Sequence, residues 1–408
     1  MTIHLAWRNI WRNPRRTAVI LTAVIIGVWS MVFMGALMRG VIDQMVQNGI
    51  STLTGHIQIH HRYFQRDPVI ENRMAEPRLV EERLARHLPA GSRWTARIRV
   101  NAVAGNARHN TGVTLVGIDP AAEAAVSFIG RAVTRGRYLN ADDPHGIVIG
   151  AALAQKFETR LGRKLVIMSQ DTQKEIASRA FRIVGIFKAE MEATEKQFVF
   201  VTRPAAAKLL GMDKGVCEYA VVLPEGDRNR AASVAAALEA DLPDTYSVAT
   251  WRQLLPMVNA YLEIMNAWTL IWYLVVFIAM GFGIVNTMLM AVFERMREFG
   301  VLKALGTRPA WIVRDVLTES FFLLVMGMGA GSLLGLLTTM WLANVGIDLS
   351  ALAEGAEYAG MSRMVYPSLY TADLVMANAV VLVLGMVISL YPAIKAARFT
   401  PVEAMGHV

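Results

Sequence analysis

Four stretches of more than 20 residues contain no Asp, Glu, Lys or Arg: Thr17–Met38, Ile264–Phe293, Ser320–Ile347 and Leu374–Ile394. A bilayer core about 30 Å thick takes about 20 helical residues to cross. In hydrocarbon, backbone N–H and C=O groups must be satisfied within the segment, so such runs fold as helices. The chain is therefore expected to cross a membrane four times, at 17–40, 264–293, 320–347 and 374–394. The first run is longer than the roughly 7–15 apolar residues of a signal peptide, and no small-residue cleavage site follows, so it reads as a retained anchor.

The charges outside these runs set the expected orientation. Arg8, Arg12, Arg15 and Arg16 precede the first run. Arg295, Arg297, Lys303, Arg308 and Arg314 fill the loop at 294–319, and Lys395 and Arg398 lie in the tail at 395–408. The loop at 348–373 has only Arg363. Basic residues favour the cytoplasmic side, so both termini and the 294–319 loop are expected inside, with the long segment 41–260 outside. The formal charge of +8 is dispersed, with no basic stripe interleaved with aromatics, and nucleic acid is not an expected partner.

The outside segment is patterned as mixed α/β. Alternating strand-like pieces fall at His56–His60, Thr114–Asp119, Gly146–Gly150, Lys164–Ser169, Phe181–Phe187, Gln197–Thr202 and Tyr219–Pro224. Helix-like pieces fall at Pro77–His87, Ala151–Leu161, Pro204–Leu210 and Arg228–Ala240. The economical reading is a strand-rich lobe at about 120–202 inserted into an α/β lobe at about 41–119 and 203–260. The fold class expected is an α-helical membrane protein of four transmembrane helices, with a large α/β domain between the first and second.

Catalytic signatures are missing. No phosphate loop G-x-x-x-x-G-K-[ST], H-E-x-x-H, C-x-x-C or G-x-S-x-G occurs, so no catalytic residue, metal or cofactor is assigned to the chain. His56, His60 and His61 would need further ligands to hold a metal, and are expected to be solvated residues at a strand edge. The lone Cys217 reads as a small buried hydrophobe. The uncharged spans argue against an ion-coupled carrier, which needs intramembrane ionisable groups. Energy must then come from a partner.

The loop at 294–319 carries strong helix formers from Glu294 to Leu305, with Phe299, Leu302 and Leu305 near one face. Gly306 reads as a helix stop, and Thr307 as the cap of a second helix with Pro309 in its first turn. The result expected is helix, tight turn, helix at the inner membrane face, which reads either as a solvated connector or as a rigid knob docked into a cytoplasmic motor.

Three regions resemble the permease subunits of MacB/FtsX/Lol-type, or mechanotransmission, ABC transporters. LAWRNIWRNPRRTAVILTAVIIGV (Leu5–Val28) is similar to the amphipathic helix at 1–16 leading into span one. GVTLVGIDP, GIVIGAALAQKF, GRKLVIM and FRIVGIF are similar to the MacB-type periplasmic core domain. ERMREFGVLKALGTRP and YPAIKAARFTPVEAM (Tyr391–Met405) are similar to the coupling loop and C-terminal signature.

The resemblance implies a bacterial inner-membrane permease that works as a dimer with an identical or homologous permease. Two copies of a separate cytoplasmic ABC ATPase would bind the ATP and Mg. It implies ATPase-coupling roles for Glu298, Gly300, Lys303, Gly306 and Arg308. The layout is most similar to lipoprotein-releasing Lol-type permeases, which implies an acyl-chain groove on spans one and two. Met31, Met34 and Met38 form a stripe on span one, and Trp268, Trp272 and Met280 lie on span two. Flexible thioethers suit acyl chains, and also suit plain helix packing. The stretch matching the carrier-recruiting hook of Lol-type systems, Ser169–Ala180, has no proline, which leaves a periplasmic carrier or adaptor open. Efflux with an adaptor, and regulation of a periplasmic hydrolase, stand as the alternative functions.

Overall fold

The computed structural model describes residues 7–348, except Asn9, and 364–399. The remainder of the expected N-terminal helix, of the 348–373 loop and of the tail at 395–408 lies outside the described residues.

In chain order the elements are α1 (Pro14–Gly49), β1 (Ile57–His61), α2 (Pro77–His87), β2 (Arg93–Gly105), β3 (Asn110–Ile118), α3 (Pro120–Ala124), α4 (Ile129–Ala132), β4 (Val133–Gly136), β5 (Gly146–Gly150) and α5 (Ala151–Lys156). They continue with β6 (Lys164–Gln170), β7 (Ile176–Phe187), α6 (Glu192–Gln197), β8 (Phe198–Thr202), α7 (Arg203–Leu209), β9 (Glu218–Val222), α8 (Ala231–Asp241), β10 (Tyr246–Thr250) and α9 (Trp251–Leu254). The last are α10 (Pro256–Glu294), α11 (Met296–Ala304), α12 (Pro309–Val345), β11 (Ile347–Asp348), β12 (Met364–Val365) and α13 (Thr371–Arg398). The chain divides into two compact units, a helical one containing 1–43, 262–349 and 364–408, and one built mainly from 44–261.

The helical unit contains α1, α10, α12 and α13, each long and apolar enough to cross a membrane. All four helices start or end several residues beyond the uncharged runs, as α10 does by starting at Pro256. Span three ends earlier than expected. Gly346 takes a positive φ of 77° and its N–H caps Leu342, so Ile347 leaves the helix and pairs in β11. Gly327, Gly331 and Gly335 of α12 lie against Val24, Val28 and Val32 of α1. Both sets repeat every four residues, so one helix offers a flat seam and the other a ridge of branched side chains. Ser332 and Asn378 exchange hydrogen bonds at 3.1 and 3.0 Å between α12 and α13.

The second unit is built on one ten-stranded sheet in the order β10-β1-β9-β2-β3-β8-β5-β7-β4, with β6 pairing β2 and β7. Strand β2 is its spine. Residues Arg93–Arg97 pair β9, while Ile98–Gly105 pair β3. The first half belongs to a lobe with core residues Ile57, Ile59, Val80, Leu84, Tyr219 and Leu238. The second half belongs to a lobe whose sheet is covered on both faces, by Leu115, Ile147 and Phe181 on one side and Val116, Val148 and Phe200 on the other. Because β2 runs unbroken between them, the strand-rich lobe starts near Ile98, earlier than the expected 120.

Local expectations fare unevenly. Helix α2 runs Pro77–His87 as its Val80/Leu84 spacing requires, with proline in the first turn. Helix α5 stops at Lys156, short of Leu161, because Phe157 turns into the core and Glu158 adopts a φ of 48°. The histidine reading is corrected. Strand β1 lies between β10 and β9, so His56 and His60 are buried and not solvated. His56 Nδ1 accepts from the Leu223 N–H at 3.1 Å. Cys217 is fully buried, and burial pushes its thiol up to about 12.

Candidate functional site: the coupling helix and an apolar groove

Helix α11 is joined to α10 by a single non-helical residue, Arg295, with φ −99° and ψ 9°. Its inner face buries Met296, Phe299 and Gly300. Its end is a Schellman motif: Gly306, at φ 90°, donates its N–H to Lys303 O, and Thr307 donates to Leu302 O. A side chain at 306 would be strained in that backbone, so the glycine is required by the turn itself. The next helix is preceded by Arg308, which supplies no side-chain cap, so the expected capping by Thr307 is not what the chain does. Pro309 does sit at the start of α12.

The five residues matched to the coupling motif occupy different environments. Glu298 pairs with Arg12 at 2.7 Å and with Arg295 at 3.3 Å. Burial pushes its carboxyl up, but the hydrogen bonds and charges of Arg12 and Arg295 outweigh this and hold it below the usual carboxylate range. Lys303 Nζ donates to the carbonyls of Ala397 at 2.8 Å and Phe399 at 2.6 Å, at the end of α13. Gly300 is buried. Gly306 and Arg308 are exposed. Leu305 is 79% exposed and Val301 49%, so the outward surface of the knob includes Arg297, Val301, Ala304, Leu305, Gly306 and Arg308. Leu305 therefore does not join Phe299 on the inner face.

Sequence reasoning missed the residues that hold this knob. Arg295 reaches Glu319 at 2.9 Å and Asp315 at 3.3 Å, and Arg16 reaches Glu319 at 3.1 Å and Glu294 at 3.3 Å. One signal was available. Asp315 and Glu319 are like charges four residues apart on a helix, an arrangement that is unfavourable unless a cation lies between them.

The residues matched to an acyl-chain groove also separate. An apolar groove of about 680 Å³ lies between α1 and α10, lined by Val19, Ile26, Trp272, Val275, Val276 and Met280 among others, with no charged side chain. Trp272 and Met280 are thus brought together. Met31 is fully buried in the helical core. Met38 lines a separate, smaller pocket with Arg39, Tyr273 and Asp373. Met34 is half-buried and Trp268 exposed.

Comparison with known proteins gives two family matches. The MacB-like periplasmic core domain matches residues 17–240, and the FtsX-like permease C-terminal region matches 270–401. The chain is 28% identical over 421 residues to the pyoverdine export ATP-binding/permease protein PvdT of Pseudomonas syringae pv. tomato, covering 99% of this chain and 59% of the relative. It is 25% identical over 278 residues to the lipoprotein-releasing system transmembrane protein LolC of Xylella fastidiosa, covering 64% and 65%. It is 28% identical over 276 residues to an uncharacterized ABC transporter permease of Methanocaldococcus jannaschii, covering 67% and 65%. The chain spans less than two thirds of the length of each of these relatives. With an α/β domain between the first and second of four long apolar helices, and the core-domain match spanning more than half of the sequence, the chain belongs to the family with a MacB-like periplasmic core domain, and its C-terminal part matches the FtsX-like permease region.

Proposed function

We propose that the chain is the permease subunit of an ATP-driven ABC transporter whose nucleotide is bound by a separate ATPase chain. In this reading α11 faces the cytoplasm and the MacB-like domain faces the periplasm of a bacterial inner membrane. The basic residues around α11 and before α1 favour that orientation. The observation that carries the reading is the geometry of α11. Ion pairs and Lys303 hold it from within, while Val301, Leu305 and Arg308 are left outward for a partner. Replacing Leu305 with Asp in the chain purified with its ATPase should release the ATPase. Retention of the ATPase would reject α11 as the docking element.

For the substrate, we propose acylated lipoprotein, extracted from the outer leaflet for transfer to the outer membrane. The uncharged groove between α1 and α10 suits an acyl chain, and one set of relatives is named for lipoprotein release. Depletion of the protein, followed by separation of inner and outer membranes, tests this. Lipoproteins should accumulate in the inner membrane, and normal sorting would overturn the assignment. A second reading, export of a polar cargo with an adaptor, is favoured by a mixed-charge cleft of about 1320 Å³ in the MacB-like domain, lined by Arg93, Arg131, Lys188 and Glu192 among others. PvdT is named for pyoverdine export. Normal sorting combined with drug or siderophore sensitivity would favour export.

A further inference from the structure

The joint between α10 and α11 is one residue long, and that residue is heavily restrained. The backbone of Arg295 lies in the sparsely populated bridge region. Its guanidinium folds back onto α12, donating to Glu319 Oε2 at 2.9 Å and Asp315 Oδ2 at 3.3 Å. It also reaches Glu298 at 3.3 Å and lies 5.0 Å over the Phe299 ring. Glu319 gives its second oxygen, Oε1, to Arg16 at 3.1 Å, and Arg16 continues to Glu294 at 3.3 Å. One carboxylate therefore ties the start of α1 to the joint.

These charges are not surface decoration. Side-chain exposure is 3% for Glu319 and Asp315, 9% for Arg16 and 11% for Arg295. Buried ion pairs are weak sources of stability, because desolvation offsets their attraction. An apolar contact would hold the joint with a smaller desolvation penalty. What a forked guanidinium adds is direction, since it bonds carboxylates only in set orientations. Breaking such a network leaves uncompensated buried charge, so intermediate geometries are disfavoured and the joint is either closed or open.

We propose that Arg295, Glu319 and Arg16 form a lock at this joint. They are positioning residues that fix the angle of α11 against α1 and α12. Movement imposed on α11 is then delivered to those helices and not absorbed by the single-residue break. The proposal rests on the reading of α11 as the element that meets the ATPase.

The lock can be tested separately from that reading. Cys217, the only cysteine, is fully buried, so spin labels can be confined to Ala18→Cys on α1 and Ala304→Cys on α11. Pulsed electron resonance on the detergent-solubilised full chain should show one narrow distance population. Glu319→Gln should broaden it or add a displaced population. So should Arg295→Lys, which keeps the charge but loses the fork. A merely structural role would lower the thermal midpoint and leave the distances of the folded chain unchanged. Unchanged distances in the variants overturn the lock. If Glu319→Gln does not fold, Arg295→Lys decides alone. The docking reading is scored by a different signal, cross-linking of Leu305→Cys to the co-purifying ATPase. No cross-link with broadened distances would remove the docking reading and leave the lock. A cross-link with unchanged distances would do the reverse.

Discussion

Gly331 of α12 faces Val28 of α1 with no room between them for a side chain. A Cβ added at Gly331 would stand 2.9 Å from the valine Cβ and 2.8 Å from the Ile25 carbonyl oxygen. The nearer obstacle is backbone, which cannot rotate aside. Gly331→Val is therefore expected to separate the helices and destabilise the chain by about 1–3 kcal/mol, the usual range for overpacking. Gly329, two residues away, has open space around it, and Gly329→Ala should be neutral or slightly stabilising. Thermal unfolding in detergent distinguishes the two, and equal midpoints would show that the seam can yield.

Lys303 reads in the sequence as a cation offered to a partner, but its ammonium sits on the Ala397 and Phe399 carbonyls. Cations at a helix C-terminus satisfy carbonyls that have no intrahelical donor. Lys303→Met should destabilise the isolated permease by about 1–3 kcal/mol, as expected for loss of charged hydrogen bonds. A role confined to ATPase docking predicts no change in the isolated chain. Unfolding of the permease without its partner decides between them.

These cases show where the sequence was legible. The four uncharged runs, the buried strand Gly146–Gly150 and the Val80/Leu84 spacing of α2 each report a single local environment, and the expected elements form there. Strand β2 was missed because Arg93, Arg97 and Arg99 interrupt its apolar alternation. Arg97 is nevertheless fully buried, bonded by Glu123 at 2.8 Å and Glu218 at 3.1 Å. Those partners lie 26 and 121 residues away, and no local pattern announces them. The site was legible in part for the same reason. Gly306 is set by its own turn, whereas the roles of Glu298 and Lys303 depend on Arg12 and on the end of α13.

His60 should make the stability of the MacB-like domain depend on pH. Burial lowers its pKa, despite the opposing effects of the His61 carbonyl and Glu218. A neutral buried imidazole stabilises the fold fully above its unfolded pKa, and that contribution is lost as pH falls toward the depressed folded value. Wild-type stability should therefore drop between about pH 7.5 and 5.5, across the ordinary imidazole range. His60→Gln should drop less. Urea unfolding at the two pH values measures the difference, and parallel losses in both proteins would assign the effect to other groups.

The groove between α1 and α10 gives the sharpest test of the acyl-chain assignment. Ala279 lines it and is exposed, so a larger side chain there fills space without displacing the buried core. Ala279→Trp should leave folding and ATPase association intact while lipoproteins accumulate in the inner membrane of cells that depend on the variant. Trp272→Ala, which enlarges the groove, should be tolerated better, because acyl chains adapt to extra width more readily than to a blocked path. If Ala279→Trp supports normal sorting, the groove is a lipid-facing furrow. The polar cleft in the MacB-like domain would then be the surface to mutate for cargo.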